Sequence, residues 1–92
     1  MLLPQQDRDT FLGEHSDWAL NGEEITRTFV FSDFAEAIGF VNRAALVAEK
    51  ADHHPDIDIR WNKVTMTLTT HDQGGLTGND TELAKVFDGF VK

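Results

Sequence analysis

Apolar and polar residues alternate along several short stretches of the chain, which is the pattern of half-buried β-strands. Residues 24–31, 56–61 and 64–70 alternate in this way, and the short stretch 18–20 precedes them. Asn21-Gly22 favours the two-residue type I′ turn of a hairpin, because both residues tolerate positive φ values. A second tight turn is expected at Asn62-Lys63. The sequence therefore predicts four short strands in two hairpins.

Apolar residues at helical spacing occupy the stretches around these hairpins. Asp33 and Glu36 have the spacing of a capping box at the start of a long helix over residues 33–50, and Thr77 and Asp80 have it at the start of the last helix. The predicted buried faces are Phe34, Ile38, Val41, Ala45 and Ala48, widened by Ala37 and Ala44, for the first and Leu83, Val86, Phe87 and Phe90 for the second. Residues 4–14 predict a short helix or an irregular lead-in.

The order helix, two strands, helix, two strands, helix predicts an α+β fold with a four-stranded antiparallel sheet and its helices packed on one face. The opposite face carries threonines and is left for solvent, a ligand or another subunit. Arg27 interrupts the apolar side of the second strand, so that side is expected to be incompletely buried or to contact a partner. Without repeats or linkers, residues 1–92 are expected to form a single domain.

Length and charge narrow the classes of function. A chain of 92 residues buries only a modest core, so oligomerisation would help it. The net charge of −8 and the scattered lysines and arginines argue against nucleic acid and anionic membranes as partners. Cysteine is absent, the amino terminus lacks the pattern of a signal peptide, and no stretch has membrane-spanning length. We therefore expect a cytoplasmic protein.

Three of the four histidines lie within residues 49–80, close to carboxylates. Pro55 favours an extended backbone at the preceding residue, so the long helix should stop here and the side chains of His53 and His54 should point to opposite sides. His71 is predicted on the polar face of the last strand, at its end. Imidazoles titrate near neutral pH, and these three can therefore exchange protons with a ligand. For His15 we expect only a surface position without a partner.

Carboxylates and one tryptophan complete this stretch, each with an ordinary structural explanation beside the functional one. Glu49 and Asp52 can orient an imidazole or remain a solvated and a turn-forming carboxylate. Asp80 can be a site residue as well as a helix cap, and Trp61 can be a core residue or a stacking wall for a flat ligand. Three histidines with aspartates could also bind zinc or iron, but adjacent histidines on extended chain diverge, so no metal is predicted.

The fixed spacings in this region resemble the signature of a known family. They comprise Glu49, the run His53-His54-Pro55, Trp61, His71 and Asp80, with the flanking words Ala48-Glu49-Lys50, Trp61-Asn62-Lys63-Val64 and His71-Asp72-Gln73-Gly74-Gly75-Leu76-Thr77. Together they resemble the pterin-4a-carbinolamine dehydratases, from about Trp18 to the last helix. Asp17 and the pair Asp56-Ile57 depart from the residues common in that family, which concerns the shape of the pocket more than its chemistry.

The resemblance implies a dehydratase that removes water from 4a-hydroxytetrahydropterin to give quinonoid dihydropterin, without metal or redox cofactor. It implies His53 and His71 as the acid–base pair, with His54 binding and polarising the ring. Glu49 would orient an imidazole, and the further residues assigned to substrate binding are Asp52, Trp61, Thr70 and Asp80. The family also implies a homodimer or a homotetramer built as a dimer of dimers.

Two other functions remain open from the sequence. Animal members of that family double as dimerisation cofactors of a homeodomain transcription factor, so the chain could be a protein-interaction module and transcriptional coactivator. A pterin-binding protein of molybdopterin metabolism is the other alternative. A partner-binding role would require an exposed apolar helix face.

Overall fold

Three helices cover one face of a four-stranded antiparallel sheet in the computed structural model, which describes residues 1–91. The elements are α1 (Gln5–Glu14), β1 (Ala19–Asn21), β2 (Glu24–Val30), α2 (Phe34–Ala51), β3 (Asp56–Arg60), β4 (Lys63–Leu68) and α3 (Gly78–Gly89). Their spatial order in the sheet is β1-β2-β4-β3. The predicted α+β class and element order are confirmed, and Lys92 lies outside the described residues. Within residues 1–91, no helix has the length and apolar character needed to cross a membrane.

Both hairpin turns lie one residue away from the predicted positions. Asn21 pairs with Glu24, so Gly22-Glu23 forms the first loop, and only Gly22 there has a positive φ, of 64°. That pattern is typical of a type II′ turn, and the predicted type I′ turn was wrong. In the second hairpin Arg60 pairs with Lys63, which places Trp61 in the loop with a φ of 51°.

The core lies between the sheet and the helices. Ile25 and Phe29 of β2 are buried there, together with Val64, Met66 and Leu68 of β4. Arg27, which stands between the two buried β2 residues, donates a hydrogen bond of 2.7 Å to Asp88 of α3 and lies 4.2 Å over the ring of Phe29. The interruption in the apolar side of β2 is therefore filled from within the chain by an ion pair.

Helix α2 buries a face that is rotated from the predicted one. Asp33 caps the helix as expected, accepting a hydrogen bond of 2.8 Å from the backbone N–H of Glu36. The buried residues are Ala37, Phe40, Ala44 and Ala48, whereas Phe34 is 52% exposed and Ala45 is exposed. The ring of Phe40 lies 4.6 Å from that of Phe29, and the alanines let the helix approach the sheet closely. Aromatic packing through Phe40 decided the rotation.

The outer face of the sheet is polar. Threonines pair across it at 3.3 Å between Thr26 and Thr67 and at 2.8 Å between Thr28 and Thr65. Strand β3 forms one edge of the sheet and is exposed along its length, including Ile57 and Ile59 at 38% each. This face and this edge are thus free of helices, as the sequence predicted for the threonine side.

His15 is part of the packed structure, contrary to the prediction of a surface residue without a partner. Its Nδ1 lies 2.7 Å from Asp88, and its ring stacks on that of Phe11 at 5.1 Å. The indole N–H of Trp18 also donates to Asp88, at 2.8 Å. One carboxylate of α3 therefore connects α1, β2 and the segment before β1.

Candidate active site

A buried carboxylate lies at the centre of the predicted site. Asp80, in the first turn of α3, has no solvent-exposed surface and contacts Nε2 of His53 through Oδ1. Its Oδ2 accepts hydrogen bonds from the hydroxyl of Thr70 at 2.8 Å and from the backbone N–H of Thr77 at 2.9 Å. Asp80 is thus both the capping-box residue of α3 and a partner of the histidine, as the sequence allowed.

The end of α2 directs the two adjacent histidines apart. Asp52 ends the helix with a φ of 53°, and the backbone N–H of His53 donates to Ala48 at 3.1 Å. This turn places His53 against the start of α3. The next ring, His54, lies in solvent with Nε2 2.8 Å from Glu49. The predicted divergence of the neighbouring rings is present, and Glu49 pairs with His54.

His53 lies between two cavities. A polar cavity of about 490 Å³ is lined by His53, Asp52, Thr70 and residues of the loop and helix that follow. A smaller cavity of about 240 Å³ is lined by His53 and apolar residues of α2 and α3, among them Val47 and Leu83. The imidazole can therefore meet a ligand that has both a polar and an apolar part.

Asn79 and Glu82 line both cavities and were missed by the sequence reasoning. They are three residues apart, so they occupy neighbouring positions on one face of α3. The signal that could have identified them is the capping box, because it predicts that the first turn of α3 carries Asp80 towards the site. Other residues in that part of α3 then come near His53 as well.

His71 and Trp61 do not line these cavities. His71 begins a short helical turn (His71–Gln73) after β4 has ended at Leu68, so the prediction of a strand-end position was wrong. Its neighbours Thr70 and Asp72 both line the polar cavity. Trp61 is 64% exposed at the far end of β3, about 17 Å along the strand from Asp56 at 3.3 Å per residue. Within one copy of the chain Trp61 therefore lies away from His53.

The loop that carries His71 is held by contacts at both of its ends. Thr69 donates a hydrogen bond of 2.7 Å to the carbonyl of Glu23, and the backbone N–H of Leu3 donates one of 2.7 Å to Leu76. A hydrogen bond from Arg8 lowers the pKa of the Glu23 carboxyl from its ordinary value, and the Arg8 charge adds to this. These contacts restrict the loop next to the polar cavity.

The arrangement around His53 can transfer a proton. Because a carboxylate accepts hydrogen bonds, Nε2 of His53 is the donor to Asp80, and in the neutral imidazole Nδ1 then carries the lone pair. The carboxylate also faces the positive charge that forms when Nδ1 accepts a proton. Within residues 1–91, no three side chains of histidine, aspartate or glutamate are grouped closely enough to hold a metal ion.

The fold and this geometry define a small α+β protein with a buried aspartate that orients a histidine at a ligand-sized cavity. The sequence model of the family described as pterin 4 alpha carbinolamine dehydratase matches residues 1–90. Because this match spans nearly the whole chain, the chain belongs to the pterin 4 alpha carbinolamine dehydratase family.

Several relatives show how close the similarity is. A protein of Roseiflexus castenholzii named for pterin-4-alpha-carbinolamine dehydratase is 49% identical over 90 residues, covering 98% of this chain and 97% of the relative. A protein of Nocardia farcinica with the same name is 51% identical over 87 residues, covering 95% and 92%. The crystal structure of a transcriptional coactivator/pterin dehydratase from Brucella melitensis is similar with a TM-score of 0.91 at 38% identity, covering 97% of both chains.

A more distant structure shares the fold alone. It is a pterin dehydratase-like protein described as a RuBisCO assembly factor of the alpha-carboxysome, with a TM-score of 0.69 at 23% identity. The matched region covers 82% of this chain and 89% of the other protein's chain. Proteins of this fold thus carry descriptions from more than one class of function.

Proposed function

We propose that the protein is a 4a-hydroxytetrahydrobiopterin dehydratase that acts in the cytoplasm in the recycling of tetrahydrobiopterin. The reaction breaks the bond between C4a and the hydroxyl oxygen, releases water and forms the C4a–N5 double bond of quinonoid dihydropterin. One proton goes to the departing hydroxyl and one leaves N5, so the reaction is a proton transfer in two places. The observation that carries the proposal is the His53 imidazole held by buried Asp80 beside a polar cavity.

The family resemblance, together with the contacts of His53 and His54, supports the following roles. Nδ1 of His53 accepts the proton from N5, because Nε2 is occupied by Asp80. His71, in the loop beside the cavity, protonates the hydroxyl. His54, oriented by Glu49, binds and polarises the ring, and Asp52 and Thr70 contact the substrate. Each positioned proton transfer contributes about 10²–10⁴-fold to the rate.

A rate measurement tests this proposal. Freshly generated 4a-hydroxytetrahydropterin is followed by stopped-flow ultraviolet absorbance with chelator-treated protein, and we expect acceleration. His53→Ala and His71→Ala should each lower kcat by about 10²-fold or more, since each removes one proton transfer. Lys50→Ala is the control, because Lys50 is exposed on the last turn of α2 and lines neither cavity. Normal kcat in both histidine variants, with intact circular dichroism, would contradict the assignment.

We also propose that the chain assembles as a homodimer or homotetramer. Its support is the apolar surface that one copy leaves exposed, including Phe34 at 52%, Leu46 at 73% and Val30 at 64%.

The exposed apolar residues of α2 also support a second candidate function, a protein-interaction module that binds an apolar helix of another protein. Its test is whether a partner competes with self-association for α2, as measured by sedimentation.

A further inference from the structure

A third cavity, larger than the two at His53, lies away from that residue. It has a volume of about 620 Å³ and is formed by the end of β2, the first half of α2 and the residues at the end of α3. It shares no lining residue with the two cavities at His53. Its size falls within the range of small-molecule sites, about 300–1,000 Å³. Neither the proposed dehydratase reaction nor the packing of the core uses it.

The walls of this cavity are aromatic. The rings of Phe31 and Phe90 both pack on Phe40, at centroid distances of 5.1 and 6.4 Å. Both flanking rings are only partly buried, so they present surface to the cavity. Gly39 lines the cavity on the α2 side, and a Cβ added there would meet no atom within 4 Å. A flat ring can therefore enter beside α2 and pack on the phenylalanines.

Of the two guanidinium groups that line this cavity, one has no carboxylate partner within residues 1–91. The guanidinium of Arg43 lies 4.2 Å over the ring of Phe90, and within residues 1–91 no carboxylate forms an ion pair with it. The other guanidinium, of Arg27, is paired with both Asp88 and Asp17. The one carboxylate in the lining, Glu36, accepts a hydrogen bond of 2.9 Å from the backbone N–H of Ser32. Arg43 thus remains available to an anion.

We propose that this cavity binds a small aromatic carboxylate. The ring packs against Phe31, Phe40 and Phe90, and the carboxylate accepts hydrogen bonds from the fork of Arg43, whose planar donors match carboxylate geometry. Stacking on Phe90 holds that guanidinium in place before the ligand arrives. An inorganic anion would pair with Arg43 but leave the phenylalanine rings exposed. An uncharged aromatic ligand would leave Arg43 without its anion.

Binding of 2-naphthoate to the full chain tests this proposal. Isothermal titration calorimetry should detect one site per chain, and ¹H–¹⁵N spectra should shift at Phe31, Gly39, Arg43 and Phe90. Arg43→Gln should weaken binding by about 10- to 100-fold, the value of a charge-assisted hydrogen bond. The neutral analogue 2-naphthamide should bind wild type with a similar loss, and inorganic phosphate should give no shifts.

A cavity-filling variant provides an independent test that preserves folding. Gly39→Leu places an apolar side chain in open space, and leucine is a better helix former than glycine, so α2 should persist. Naphthoate binding should be lost, while kcat with the pterin substrate should stay at the wild-type value. Gly39→Ala is the matched control, which adds one methyl group and should retain most of the affinity.

Several results would overturn the proposal. They are absence of binding to wild type at millimolar naphthoate, shifts confined to residues around His53, or equal affinity for the acid and the amide. Unchanged affinity in both Arg43→Gln and Gly39→Leu would do the same. Loss of self-association in Gly39→Leu, without naphthoate binding to wild type, would assign the cavity to contact between copies of the chain. These outcomes are separate from the dehydratase assay, so either proposal can fail alone.

Discussion

The carboxylate of Asp80 is fully buried and is surrounded by the hydroxyl of Thr70, the backbone N–H of Thr77 and Nε2 of His53. A buried charge is tolerated only when hydrogen bonds compensate for its lost hydration, and here every partner is a donor. This requirement fixes the protonated nitrogen of His53. The helix cap and the proposed catalytic base are therefore coupled through one side chain.

Asp80→Asn should separate these two roles. The amide can still accept from Thr70 and Thr77 through its oxygen, but its NH₂ group then faces Nε2 of His53 and requires a lone pair there. The tautomer of His53 reverses, Nδ1 becomes protonated, and kcat should fall by about 10²–10⁴-fold. The free energy of unfolding should fall by only about 1–3 kcal/mol. Stopped-flow rates, urea unfolding and ¹⁵N chemical shifts of the imidazole measure the three effects.

Asp56→Asn is the control for that experiment, because Asp56 is exposed on β3 and forms no ion pair within residues 1–91. It should leave both rate and stability unchanged. If Asp80→Asn reverses the tautomer but keeps wild-type kcat, Nδ1 of His53 is not the base.

The parts of the site that local backbone rules determine could be predicted from the sequence. Pro55 set the divergence of His53 and His54, and the capping-box spacing placed Asp80 at the start of α3. The contacts of His15 could not be predicted, because its partner Asp88 is 73 residues away and meets it only in the folded chain. The capping box also indicated that the start of α3 lies near the site, but which of its side chains, such as Asn79 and Glu82, line the cavities depends on the tertiary packing of α3 against His53.

At the level of elements, the periodicity of apolar residues predicts the fold class. It does not predict the register of the hairpins or the rotation of α2 about its axis. Three alternating stretches, the short stretch that precedes them and two capped helices predict the α+β order. The turn of the β3–β4 hairpin was predicted one residue late, because Asn62 is a typical turn residue whereas a tryptophan gives no sign of the positive φ that Trp61 adopts. The face of α2 was misjudged because two apolar stripes overlap on it, and only packing through Phe40 selects between them.

Trp61 offers a stability test of the β3–β4 hairpin. A bulky residue with a φ of 51° is strained by about 1–2 kcal/mol, and its side chain is 64% exposed, so its own burial contributes little. Trp61→Asn should raise the free energy of unfolding by up to about 1 kcal/mol, because asparagine tolerates this conformation. Urea unfolding of the variant measures the change.

Trp61→Leu separates the effect of backbone strain from the effect of lost indole contacts. Both variants remove the indole, but leucine does not tolerate a positive φ any better than tryptophan does. We expect Trp61→Asn to be the more stable of the two. Equal destabilisation of both variants by more than about 2 kcal/mol would mean that the indole is buried against another copy of the chain.

For the whole molecule, the balance between core and surface favours assembly. A chain of 92 residues has a modest core, yet α2 leaves Phe34 and Leu46 exposed and β3 presents an unpaired edge. Unpaired strand edges and exposed large apolar side chains are surfaces that a partner chain can cover. We therefore expect self-association at micromolar concentration.

Phe34→Asp should weaken that association without harming the fold. Phe34 is the first residue of α2, where a negative charge is favourable to the helix dipole, and its side chain is half exposed. Sedimentation should show the variant shifting towards the 10.3 kDa monomer, whereas Val86→Asp, a matched change on α3, should keep the wild-type mass. A charge buried in an interface without a partner costs several kcal/mol, enough to lower the association constant by more than about 10²-fold. Wild-type mass in Phe34→Asp would exclude this end of α2 from the contact, and monomeric wild-type protein would contradict the proposed assembly itself.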